Sequence, residues 1–147
     1  MAQGNQYAAN FRDSLVFKEA RSVAKDIFTL SKRFPKEEMY SLTDQGRRSS
    51  RSVGAQIAEA WGKRRYEKSF VSKLSDADAE QYETEHWIET ALDCAYVTEK
   101  EARALIDRLA EIGRMLNGMI EKADSFCSIG ARTLREETEE YLVHAEA

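Results

Sequence analysis

The chain has 147 residues, 42% hydrophobic and 33% charged, with a net charge of −4 and a pI near 5.4, which suits one soluble helical domain with a single core. One proline and seven glycines leave room for long helices, and no stretch has the length of a membrane span. The first fifteen residues lack a basic head followed by an apolar run, so no secretory signal is read there and the expected compartment is the cytoplasm.

Residues 1–10 read as a loose head. A first helix is expected from about Arg12 to about Phe34, on the apolar stripe Val16, Ala20, Val23, Ile27, Leu30 and Phe34, and Pro35 ends it. Ser41 and Asp44 make an S-x-x-D pair that predicts the start of a second helix at Ser41. The second helix carries Leu42, Val53, Ile57 and Trp61 on its apolar edge. A third helix is expected from about Glu67 to about Tyr96 on the seam Phe70, Leu74, Ala77, Gln81, Thr84, Ile88, Ala91 and Ala95. Thr98 and Glu101 form a capping box for a fourth, whose stripe is Ala102, Leu105, Leu109, Ile112, Leu116 and Met119. Four such helices with short connectors predict an all-α, up-down-up-down antiparallel four-helix bundle over 1–124. Residues 125–147 are left as an acidic tail with room for a short helix anchored by Leu134, Tyr141 and Leu142.

The second helix holds the most informative feature. Gly46, Ser50, Gly54, Ala58 and Gly62 recur at four-residue spacing, which puts an unbroken line of small side chains on one helical face. Together with Trp61 it is read as a close-packing or subunit interface, because Trp61, Trp87, Tyr82 and Tyr96 exceed what one narrow seam hides.

Charge is unevenly spread. From Gln45 to Lys73 eight Lys and Arg face two acids, and from Leu74 to Glu99 eight acids stand without a Lys or Arg. Arg47, Arg51 and Glu59 are expected to form a polar network with Asp76, Glu80 and Glu83 of the third helix, as an interhelical ladder, or to tie the second helix to a neighbouring copy. Arg48, Lys63, Arg64 and Arg65 are the candidates for contact with RNA or another acidic partner, since Tyr66 and Phe70 interleave aromatic rings with the charge.

Catalytic signals are weak. Glu83 and His86 make one Glu-x-x-His, whereas a carboxylate-bridged metal pair needs two such motifs, so neither a metal nor another cofactor is expected. No phosphate loop and no serine, cysteine or histidine constellation is present in the sequence, and Cys94 and Cys127 read as reduced, buried thiols. A non-enzymatic binding or scaffold protein is the leading expectation, with a nucleic-acid-binding accessory as the alternative and a metal-dependent bundle enzyme behind both.

Phe34-Pro35, Glu38, Tyr40, Leu42-Thr43, Gln45, Arg47-Arg48, Ser52-Val53, Ile57-Ala58-Glu59, Trp61-Gly62 and Phe70, followed by Glu83, Glu85 and Tyr96-Val97, carry a family resemblance over about residues 11–122. The chain resembles the small bacterial four-helix-bundle proteins encoded in intervening sequences of large-subunit ribosomal RNA genes. That resemblance implies a four-helix bundle and a ring-shaped homo-pentamer around a pore, with no enzymatic activity established for the family. A related branch, strongly basic, assists retroelement reverse transcriptases by binding them and nucleic acid; the acidic balance of this chain departs from that branch. Ala60 after Glu59, and Ala79-Glu80 in place of a Gly-Ser step, are further departures.

Overall fold

Residues 10–127 are described by the computed structural model, and among them the chain is all-helical, with four long helices and no strand. The entry is a 3-10 turn, Phe11–Asp13, followed by Ser14, whose hydroxyl accepts from the Phe17 amide at 3.3 Å. That cap starts α1 (Leu15–Ser31), three residues later than the periodicity predicts. Phe11 packs edge-on against Phe17 at 4.9 Å between ring centroids and so fixes the angle at which the chain enters. The helix ends at Ser31, where the amides of Arg33 and Phe34 bond back three residues, as the approach to Pro35 requires.

The second helix does not begin where the S-x-x-D pair places it. A 3-10 turn (Lys36–Glu38) and a π turn (Met39–Thr43) run straight into α2 (Asp44–Gly62). The preceding turn already supplies partners for the first amides, so no side-chain cap is needed. The Ser41 hydroxyl instead donates to the Glu38 carboxylate at 2.8 Å. The wider turn swings Leu42 and Thr43 inward, and both are buried.

Helix α3 (Glu67–Asp93) buries Phe70, Leu74, Ala77, Gln81, Thr84, Ile88 and Ala91. It stops before Tyr96 because Ala95 takes a left-handed conformation, φ 61°, and the Tyr96 amide reaches back to the Ala91 carbonyl at 2.9 Å. Ala95 is therefore an exposed cap residue and not the end of the seam. The Thr98–Glu101 capping box forms in full at the head of α4 (Glu99–Glu121). Every residue of the stripe Ala102, Leu105, Leu109, Ile112, Leu116 and Met119 is buried.

Packing carries on beyond α4. Phe126 is buried against Phe70 at 5.8 Å and Trp61 at 6.1 Å between ring centroids, so the bundle's end is closed by residues past Ser125. Cys127 is buried there, while Cys94 stands exposed at the end of α3, and both are free thiols. Cross-contacts run in opposite numerical senses between α1 and α4 (Asp26 with Arg108, Arg33 with Glu101) and between α2 and α3 (Arg48 with Glu83, Glu59 with Lys73). Among the described residues no helix is long and apolar enough to cross a membrane.

Candidate functional site

Helix α2 presents different faces to its two neighbours, and the difference decides where each site residue lies. Toward α3, Arg48 pairs with Glu83 and lies 3.6 Å from Glu80, and the Trp87 indole N–H donates to the same Glu83 carboxylate at 3.3 Å. Deeper in that seam the Thr84 hydroxyl donates to the Ser49 hydroxyl at 2.8 Å. Eleven residues and about three turns further along, Glu59 meets Lys73 at 3.0 Å. Lys73 is raised from its ordinary value by the hydrogen bond to Glu59.

The predicted network is thus rearranged. Arg48, read as a free cation for a partner, holds the acids of α3, whereas Arg47 and Arg51, read as the heart of that ladder, face α1. One residue along an α-helix is about 100° of rotation, so neighbouring arginines are committed to different seams. The Arg47 guanidinium donates to the Ser31 hydroxyl at 2.8 Å and lies over the Phe28 ring at 4.7 Å. Arg51 covers the same ring at 5.4 Å, and so does the Lys32 ammonium at 4.8 Å. Asp76 is exposed and makes no ion pair with a described residue.

The small-residue line divides too. Gly46 is buried, and a methyl group there would lie 3.9 Å from the Trp87 Cβ. Gly62 closes α2 facing open space and takes no part in packing. Between them, Ser50, Gly54 and Ala58 floor a groove of about 500 Å³ between α2 and α1. Its other wall is Phe17, Ala20, Ala24 and Phe28, and Arg21, Lys25 and Arg51 stand at its margins. Bare positions on both helices line it beside the Phe17 and Phe28 rings, and a methyl group on Gly54 would lie 3.6 Å from the Phe17 ring. None of the three marginal cations has an ion pair with a described residue.

Sequence reasoning missed the α1 wall. Its signal was present: Phe17, Ala20, Ala24 and Phe28 form a second stripe at three- and four-residue steps, one position round from the core stripe Val16, Ala20, Val23 and Ile27.

The basic turn after α2 is less available than its composition suggests. Arg64 donates to the Trp61 carbonyl at 3.0 Å and stacks on the Trp61 ring at 4.3 Å, and burial lowers its pKa. Trp61 itself is buried in the core. Lys63 and Arg65 are exposed, with Arg65 over Tyr66 at 5.6 Å. His86 is exposed and rests on Trp87 at 4.9 Å, and no described cluster of His, Cys, Asp and Glu is placed to hold a metal ion.

Two further seams are tied by polar side chains, the α3/α4 one beside a groove of about 400 Å³. Between α3 and α4, the Gln81 amide donates to Asp78 at 2.9 Å and Asn117 donates to the other Asp78 oxygen at 3.3 Å, with Gly113 directly against them. Between α1 and α4, Arg33 grips Glu101 with two hydrogen bonds, 2.8 and 2.9 Å, and Arg108 reaches Asp26 at 2.6 Å. The Arg33 hydrogen bonds, with that of the Thr98 amide, hold the Glu101 carboxyl down at about 2.

Residues 12–118 match the family described as 23S rRNA-intervening sequence protein. A solved protein of unknown function from the S23 ribosomal protein family of Bacteroides thetaiotaomicron VPI-5482 is similar to this chain at 28% identity and a TM-score of 0.66. The similarity covers 72% of this chain and 98% of that one. No curated protein matches.

Proposed function

The chain belongs to the 23S rRNA-intervening sequence protein family, and from that premise we propose that it is a non-enzymatic, cytoplasmic scaffold that associates with itself through the α1/α2 groove. The groove is the observation that carries this reading. The seams of α2 with α3 and of α1 with α4 are tied by ion pairs. The α3/α4 groove of about 400 Å³ is lined by the polar or charged Gln81, Glu85, Arg114, Asn117 and Glu121, while the α1/α2 seam keeps about 500 Å³ over the small residues Ser50, Gly54 and Ala58. Apolar walls with a bare floor fit the ridge of another helix, and burying them removes apolar surface from water at about 25 cal/mol per Å².

The opposite running of the cross-contacts supports up-down-up-down connectivity. A groove on one face and a complementary ridge elsewhere make a head-to-tail contact, which closes into a ring when the rotation permits. The pentamer implied by the family resemblance is the expected ring. Light scattering on the purified chain tests the reading: a mass that is an integral multiple, five-fold for the pentamer, of 16.8 kDa supports it, and a monomer at every concentration refutes it.

A nucleic-acid accessory role is the second reading, favoured by the cations around Phe28 that lack acidic partners among the described residues. Lys63 and Arg65 stand exposed at the opposite end of α2 as a separate basic patch. RNA retardation that weakens steeply with added salt supports it, and no retardation at low salt removes it.

A further inference from the structure

The groove has a candidate occupant within the same polypeptide. We propose that the acidic segment 133–147 docks into the α1/α2 groove of its own chain, as a strap that a second copy must displace. This rests on reading the groove as a docking face.

Charge is the first support. Segment 133–147 carries Glu136, Glu137, Glu139, Glu140 and Glu146 against Arg135 and the weakly basic His144. The groove it would meet is edged by Arg21, Lys25 and Arg51, with Lys32 and Arg47 over Phe28 at its far end. Attraction between opposite charges at a half-buried apolar surface fixes partner and register more than it adds affinity.

Pattern is the second support. Leu134, Tyr141 and Leu142 fall at spacings of seven and eight, which one helical face would gather, with glutamates on the remaining faces. Small floor residues leave space for side chains of that size. Fifteen residues in helical form measure about 22 Å, against about 16 Å of α1 from Phe17 to Phe28.

Reach is the third. The described chain ends at Cys127, and the adjoining Phe126 ring sits 6.1 Å from Trp61, one turn beyond the Ala58 end of the groove. Residues 128–132 span up to about 17 Å when extended, enough to bring Leu134 to that end. A segment tethered so closely acts at an effective concentration of about millimolar, which favours its own groove over a neighbour's in dilute solution.

The test is trypsin cleavage after Arg132 and Arg135 in the intact full-length chain, followed by mass spectrometry beside a free peptide of residues 128–147. The strap predicts cleavage at least about five-fold slower in dilute protein than in the peptide, rising toward the peptide's rate as concentration brings a second copy into the groove. Lys25→Glu and Arg51→Glu restore fast cleavage, as does Tyr141→Asp, while Arg103→Glu, an exposed charge reversal on α4, leaves protection intact. Cleavage at the peptide's rate in the most dilute natural chain overturns the proposal, as does protection that disappears on dilution, since the segment is then held by a neighbour's groove. Light scattering on the same samples separates the two readings: protection in the dilute monomer that is lost in the multimer keeps both, a protected monomer at every concentration removes self-association, and a chain that is never protected removes the strap.

Discussion

Gly113 on α4 and Gly54 on α2 are both mid-helix glycines, yet they meet opposite surroundings. A methyl group on Gly113 would sit 2.8 Å from the Gln81 amide nitrogen and 3.0 Å from Asp78, inside a hydrogen-bonded seam. A methyl group on Gly54 would meet only the Phe17 ring, at 3.6 Å, an ordinary contact. The α3/α4 seam uses its glycine so that polar side chains can interlock. The α1/α2 seam uses small residues to keep a floor low, and nothing described on its own bundle fills the space above. Small residues therefore mean close packing in one place and a docking surface in the other, and the neighbouring ring or amide decides which.

The contrast can be broken most forcefully in the core. Phe70 is fully buried and stacks on Phe126, so Phe70→Ala should lower the unfolding free energy by about 3–5 kcal/mol, whereas Phe28→Ala at the groove edge should cost about 1 kcal/mol. Urea titration of both variants checks the ratio; equal losses would show that the groove is as tightly packed as the core.

The glycines sharpen it by sign. Gly113→Ala should destabilise by about 1–2 kcal/mol, because displacing the buried Gln81 amide from Asp78 outweighs the helical gain of alanine. Gly54→Ala should stabilise by about 0.5–1 kcal/mol, since helix propensity acts there without a clash. Thermal midpoints moving the same way for both would erase the distinction.

Thr84→Val removes the buried donor to Ser49 and should cost about 1 kcal/mol, read by the same titration; a neutral result would mean water replaces the bond. The smallest effect is acidic. Glu101 is held at about 2 by Arg33 and by the Thr98 amide, below an ordinary glutamate near 4.3. Its contribution is fully present above the ordinary value and is lost as pH falls toward about 2. Arg33→Ala should flatten the fall in thermal midpoint between those limits, and an unchanged slope would show the pair to be inert.

Much of the fold was legible in the sequence. The stripes of α3 and α4 and the Thr98–Glu101 box follow from spacing alone, because buried seams and local caps are written at three- and four-residue intervals. The start of α2 was not, because the π turn at Met39–Thr43 replaces a side-chain cap with backbone continuity, and sequence marks only the former. The polar network failed on a rotation of one residue: consecutive Arg47 and Arg48 look interchangeable as letters but point at different helices. The groove was half legible. Its floor was visible as the small line, whereas its wall, Phe17 to Phe28, was hidden behind the stronger core stripe of α1.

The most direct test is the solution mass of Ala24→Glu beside the natural chain, with circular dichroism to confirm that both remain helical. Ala24 lies in the groove wall and not in the core, so a buried charge there strikes docking and spares folding. The account predicts a folded 16.8 kDa monomer for the variant and a multiple of that mass for the natural chain. Identical masses in two well-folded samples would contradict it.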